Sequence, residues 1–129
     1  MNNCIVIVDD ETHIRILLEE TLEELEDEGI ATHLACNGEQ ALEVIRRHQP
    51  KLVFLDVMMP ILNGYDVCEQ VRADPALAGM VIIMLTAKGQ DQDRQRGIAA
   101  GANDYITKPF DPDVILARAR TVFGIDNKI

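Results

Sequence analysis

Leu52-Val-Phe-Leu-Asp-Val-Met-Met-Pro60 carries an apolar run that closes on a single carboxylate, the pattern of a buried strand that opens into a loop. Asp56 suits the interior of a strand poorly and the opening of a strand into a loop well. Pro60 and then Asn63-Gly64 mark the turn that follows. Other apolar runs end in the same manner. Cys4-Ile-Val-Ile-Val8 leads into Asp9-Asp10, Val81-Ile-Ile-Met-Leu85 into Thr86, and Tyr105-Ile-Thr107 into Lys108-Pro109. If these runs are parallel strands, their polar ends collect at one edge of one sheet.

Helix-like segments fill the gaps between the runs. Residues 11–28 carry Ile14, Leu17, Leu18, Leu22 and Leu25 on a 3.6-residue stripe, with Glu19, Glu20, Glu23 and Glu24 off it, and Gly29 stops that helix. Ile30–Ala35 is a weaker second strand, interrupted by Thr32 and His33. Asn37 reads as an N-cap with Gln40 as reciprocal partner, opening a helix over Ala41, Leu42, Val44 and Ile45 to about His48. A helix through Tyr65, Val67, Cys68 and Val71 ends before Asp74-Pro75. Asp111-Pro112 is an N-cap with proline at the first helical position, before Val114, Ile115, Ala119 and Val122. Residues 89–101 are polar, with Ile98 the one large apolar side chain, so a helix there buries little and is weakly held.

This alternation predicts an α/β fold, a doubly wound five-stranded parallel sheet with helices on both faces. Ligands of such sheets bind at the carboxyl ends of the strands, beside the reversal in strand order. The 129 residues are expected to form a single domain with its core over 4–123 and a tail at 124–129. A net charge of -10 argues against nucleic acid, since little here replaces phosphate counterions. No Lys/Arg run suggests a membrane surface, and the longest apolar stretches, about five residues, fall far short of a span. A basic-then-apolar leader is absent from the first residues, so the cytoplasm is the expected location.

Cys4, Cys36 and Cys68 are an odd set without metal-ligand spacing. With Cys4 opening one strand and Cys36 closing its neighbour, about 13 Å separates them, too far for a disulfide. They are expected to be small buried or half-buried side chains. His13, His33 and His48 lie away from the strand ends or on helices, as surface or partly buried residues.

Three carboxylates in one pocket repel each other, and Lys108 supplies only one compensating charge. Taken alone, Asp9-Asp10 also reads as a helix-cap pair. With Asp56 beside them, a hard divalent cation completes the balance, and oxygen ligands with waters suit magnesium. A carboxylate next to such a cation can attack phosphorus and form an acyl phosphate. The cation and Lys108 would neutralise the phosphoryl oxygens, and the Thr86 hydroxyl would donate a hydrogen bond to one of them.

Asp9-Asp10, Asp56-Val-Met-Met-Pro60, Asn63-Gly64, Thr86-Ala87 and Gly101-Ala-Asn-Asp-Tyr-Ile-Thr-Lys-Pro-Phe110, in this order and spacing, resemble a response-regulator receiver domain over about residues 4–123. The resemblance implies the flavodoxin-like strand order 2-1-3-4-5. It implies Asp56 as phosphoacceptor, with magnesium held by Asp9, Asp10, Asp56 and the backbone carbonyl of Met58. Thr86 and Lys108 would contact the phosphoryl group, and Pro109 would follow a cis bond that aims Lys108 inward. Gly64 would be structural. Tyr105 would be the switch aromatic, turning inward as Thr86 moves, so that the surface around residues 86–120 controls a downstream target or an output domain. The implied phosphodonor is a sensor histidine kinase or a histidine phosphotransfer protein. No outside substrate is implied, so the chain would not be an enzyme beyond its own phosphorylation and dephosphorylation.

Met58 and Lys88 occupy positions that tune phosphoryl lifetime in the family. Asn103-Asp104, with Arg94 and Arg118, matches part of the charged face through which DNA-binding members pair, which suggests a homodimer through residues 90–120. Ile16 points away from the apolar stripe, on a helix that helps to dock phosphodonors in the family. The alternative is a degenerate receiver that binds partners without phosphorylation. A phosphohydrolase would carry a second acid where Met58 stands, and a flavin or nucleotide domain would carry glycines or hydroxyls in place of Asp-Asp-Glu-Thr-His.

Overall fold

Apolar runs without alternation need cover on both faces, and the strands here have it. The computed structural model describes residues 1–87 and 91–125, without the side chains of 91–93. The elements alternate as β1 (Asn2–Val8), α1 (Thr12–Leu22), β2 (Ala31–Ala35), α2 (Gly38–His48), β3 (Pro50–Asp56), α3 (Gly64–Ala73), β4 (Val81–Ala87), α4 (Asp91–Ala100), β5 (Asp104–Lys108) and α5 (Pro112–Val122). All strand pairs are parallel, in the order β2-β1-β3-β4-β5. This is the expected doubly wound, flavodoxin-like sheet.

Successive strand residues face opposite sides, which makes two cores. Val6, Val8, Val53, Leu55, Ile82 and Met84 pack with Ala41 and Ile45 of α2 and with Val67 and Val71 of α3. Ile5, Ile7, Leu52, Phe54, Ile83 and Leu85 pack with Leu18 and Leu22 of α1 and with Ile115 and Ala119 of α5. The register then levels the polar strand ends. Val8 pairs with Ala35 and Leu55, Asp56 with Leu85, and Thr86 with Thr107.

Several local expectations are revised. The helix expected over 11–28 is α-helical only to Leu22 and tightens to a 3₁₀ turn over Glu23–Glu28, before Gly29 at φ +81. Glu23, Glu24, Glu26, Asp27 and Glu28 crowd negative charge where a helix C-terminus is already negative. Leu22 and Leu25 stay buried, because their spacing of three also fits a 3₁₀ turn. Leu17 and Val114, on the apolar stripes of their helices, are exposed at the margins, and Ile16 is exposed as expected. In the α2 cap Asn37 Oδ1 accepts from Gln40 N at 2.8 Å, but Gln40 Oε1 returns to the N–H of Cys36, not of Asn37. The full capping box lies at α3, where Asn63 and Asp66 exchange bonds of 3.0 and 3.2 Å.

Cys4 and Cys68 are buried free thiols, while Cys36 is exposed, because β2 ends in a surface loop. His13 is exposed, and half-buried His33 and His48 stack with ring centroids 3.6 Å apart. On α4, Ile98 faces solvent and Gly97 and Ala100 are buried. Arg94 and Arg96 lie over the rings of Tyr105 and Tyr65, 3.9 and 4.4 Å from the centroids. Cation–π contact and small-residue packing therefore hold a helix that buries little large apolar surface. Expectations for Lys88 and for residues 89, 90 and 126–129 lie outside the described residues. Among the described residues, no helix is long and apolar enough to cross a membrane.

Candidate functional site

The levelled strand ends put one acidic pocket on the sheet's carboxyl edge. Asp9 follows β1 and is fully buried. Its Oδ1 accepts from the N–H of Glu11 at 2.9 Å, and Arg15 Nη1 donates to its carbonyl at 2.7 Å. Asp10 is exposed beside it. Asp56, the last residue of β3, is also buried, and its Oδ1 accepts from Met58 N at 3.4 Å. Carboxylate oxygens of Asp9, Asp10 and Asp56 lie within 4.8 Å of one another.

Lys108 closes the pocket from β5. Its Nζ donates to Asp9 Oδ2 at 2.8 Å and to Asp56 Oδ1 at 3.2 Å, and Glu11 Oε2 is 4.0 Å away. The Lys108–Pro109 peptide is cis. Thr86 is buried at the end of β4, next in sequence to the Leu85 that pairs with Asp56. Met58 is largely exposed at the rim. Gly64 N donates to Val57 O at 3.0 Å, and a Cβ on Gly64 would lie 2.4 Å from the Asp56 carbonyl oxygen. Only glycine lets α3 start this close to Asp56.

The charges are unbalanced. Burial, and next the neighbouring Asp9, push the Asp56 carboxyl up from 3.8 to about 6, against the opposing pull of Lys108 and the Met58 N–H. Burial works against the Lys108 ammonium, but its bonds to Asp9 and Asp56 and their charges outweigh this and raise its pKa. The side-chain carboxyl carbon of Asp56 is expected to titrate at about pH 6 in metal-free buffer when followed by NMR. A midpoint near the ordinary 3.8 would show a pocket far wetter than this geometry.

A pocket with three hard oxygen donors and a single lysine fits a divalent cation on charge and donor type. Tyr105, half-buried under Arg94, stands beside a narrow cleft lined by Met84, Thr86, Gly97 and Ala102. Around it, Arg118 and Asp104 form an ion pair within the chain, and Asn103 Oδ1 accepts from Arg72 Nη2 at 2.6 Å and from Ile82 N at 2.8 Å. These groups of the expected pairing face are thus engaged internally.

Two features left no mark in the sequence. At the opposite edge of the sheet from the pocket, Arg72 ties α3 to the segments before β4 and β5, and a lone arginine on a helix carries no signal of this. Ile61 takes φ +69 in the loop after Asp56, where an Asn or Gly would have advertised a turn.

Residues 5–120 match the family model of the response regulator receiver domain. The probable transcriptional regulator ycf27 of Pyropia yezoensis is 47% identical over 125 residues, which cover 97% of this chain and 49% of that protein. The alkaline phosphatase synthesis transcriptional regulatory protein PhoP of Bacillus subtilis is 41% identical over 122 residues, 95% of this chain and 49% of that protein. The chain thus spans about half the length of these curated relatives. A putative response regulator from Chloroflexus aurantiacus superposes with a TM-score of 0.86 at 34% identity, covering 96% of this chain and 99% of that one. The chemotaxis response regulator CheY4 of Vibrio cholerae does so with 0.83 at 29% identity, covering 95% and 99%.

Proposed function

The chain belongs to the response regulator receiver domain family, and from that premise we propose that it is a phosphoacceptor switch with Asp56 as the phosphorylated residue. The observation that carries the reading is the convergence of Asp9, Asp10, Asp56 and Lys108 at one sheet edge. Asp9, Asp10 and Asp56, with the Met58 carbonyl, would hold magnesium. The ion would supply charge neutralisation for the phosphoryl oxygens.

The remaining chemistry is the chain's own. An Asp56 carboxylate oxygen attacks the phosphorus of a phosphohistidine on a kinase or phosphotransfer partner. The new O–P bond forms as the P–N bond breaks, and its electron pair leaves on the imidazole nitrogen. Lys108 is already 3.2 Å from the attacking carboxylate and follows the charge onto a phosphoryl oxygen. Thr86 donates its hydroxyl to another. Movement of Thr86 and Tyr105 then alters the surface over residues 86–120. The domain acts on no outside substrate and catalyses only its own phosphorylation and dephosphorylation.

Residues 1–129 form one receiver domain in this reading. The curated relatives are named transcriptional regulators, and the output controlled would then be DNA binding. With a net charge of -10 on the receiver, contact with nucleic acid in such a protein belongs to the half of those relatives that this chain does not match. Intact mass after incubation with acetyl phosphate tests the proposal. One phosphoryl adduct is expected with magnesium and none with a chelator. No adduct in either case would leave a receiver that binds partners without phosphorylation.

A further inference from the structure

The loop from Met58 to Asn63 is locked at both ends and pressed from one side. At its exit Gly64 N bonds Val57 O at 3.0 Å, and the Gly64 backbone lies against the Asp56 carbonyl so closely that a Cβ would be 2.4 Å from it. Between the ends, Leu62 N donates to Pro60 O at 2.8 Å, a three-residue turn with Ile61 at its centre and φ +69. A β-branched residue in this region is strained. Its own packing does not compensate, because Ile61 is 95% exposed.

The restraint comes from Leu62. Leu62 packs against the core, and the N-terminus of α2 abuts its backbone. A Cβ on Gly38 would lie 2.3 Å from the Leu62 carbonyl oxygen and 2.7 Å from the Leu62 Cβ. We propose that this contact between Gly38 and Leu62 presses the loop into the position that completes the metal site, with Ile61 as its strained hinge. The proposal rests on the reading of the acidic pocket as a magnesium site. A shift of Leu62 cannot be absorbed at Asp56 or at Gly64, both already pinned. It passes into residues 58–61, where Met58 donates its N–H to Asp56 at 3.4 Å and where its carbonyl would serve the ion. Magnesium demands near-ideal octahedral geometry, so a small displacement there weakens binding. Gly38 and Ile61 are positioning residues for the pocket, although neither contributes a donor to it.

Calorimetric titration with magnesium chloride, paired with urea unfolding without metal, tests this in the wild type and two variants. In Ile61→Gly the two readouts should move in opposite directions. The metal-free urea midpoint rises, because glycine takes φ +69 without strain, and magnesium affinity falls about threefold as the loop gains freedom. In Gly38→Ala both fall, with affinity reduced about tenfold, the scale seen when groups supporting metal ligands are removed. Unchanged affinity in the folded variants, with or without a change in midpoint, overturns the proposal. If Gly38→Ala does not fold, the opposed shifts in Ile61→Gly decide alone. A wild type that binds no magnesium would instead overturn the metal reading itself, and the inference with it.

Discussion

Asp56→Asn is expected to take up no phosphoryl group from acetyl phosphate and, without metal at neutral pH, to be more stable than the wild type by about 2 kcal/mol. Loss of uptake follows because the amide is no nucleophile toward phosphorus, and Asp9, buried and held by Lys108 and the Glu11 N–H, is no substitute. The gain in stability comes from the same burial that shapes the site. With a folded pKa of about 6 against 3.8, Asp56 contributes stability that is present below pH 3.8 and lost as pH rises through about 6. At neutral pH the wild type carries this whole penalty and the neutral amide does not. The full rise from 3.8 to about 6 is worth about 3 kcal/mol, and the charge that Lys108 loses as a partner takes back part of it.

Urea unfolding of both proteins at about pH 4 and about pH 7 checks the sign, since most of the advantage should be gone at the lower value. Equal stabilities at both would mean that the pocket imposes no strain on Asp56. Added magnesium should narrow the gap, because it stabilises the wild type more strongly than a variant missing one of its donors.

Arg72→Ala is expected to cost about 3 kcal/mol, a large loss for a side chain that touches neither the pocket nor the sheet's apolar faces. Its guanidinium donates from Nε to Gly101 O at 2.8 Å, from Nη1 to Ala78 O and Met80 O at 2.7 Å each, and from Nη2 to Asn103 Oδ1 at 2.6 Å. One group on α3 thereby joins the entry to β4 and the turn before β5, where Gly101 sits at φ +109. Alanine leaves partly buried carbonyls without donors, and hydrogen bonds from charged groups are among the strong ones. Arg72→Lys keeps the charge but cannot reach three directions at once, so it should recover less than half of the loss. Thermal or urea unfolding decides this, and a loss under about 1 kcal/mol would show that water replaces the guanidinium.

The strand ends were the most legible part of the chain. Cys4–Val8, Leu52–Leu55 and Val81–Leu85 announce buried parallel strands because only cover on both faces tolerates such unbroken apolar runs. The carboxylates that follow two of them therefore had to emerge at one edge. Helix interiors were nearly as clear, since their periodicity is local. Boundaries were less so. The chain passes into a 3₁₀ turn over Glu23–Glu28, where acids crowd the negative end of the helix, and a stripe of leucines does not reveal where that change falls. Leu17 and Val114 obey the period and are still exposed, because the width of the buried stripe is set by the neighbouring helix.

The α/β class, the doubly wound alternation and the gathering of Asp9, Asp10, Asp56, Thr86 and Lys108 were written in the residues themselves, because period and punctuation are local and the register of a parallel sheet carries them to one level. The long-range contacts came from packing alone. Lys108 reaches both Asp9 and Asp56, Gly38 meets Leu62 in the loop where Ile61 takes positive φ, and away from the pocket Arg72 gathers carbonyls from two distant turns. Each of these depends on residues far apart in the chain that meet through close packing, and contacts of that kind leave no periodic mark on the sequence.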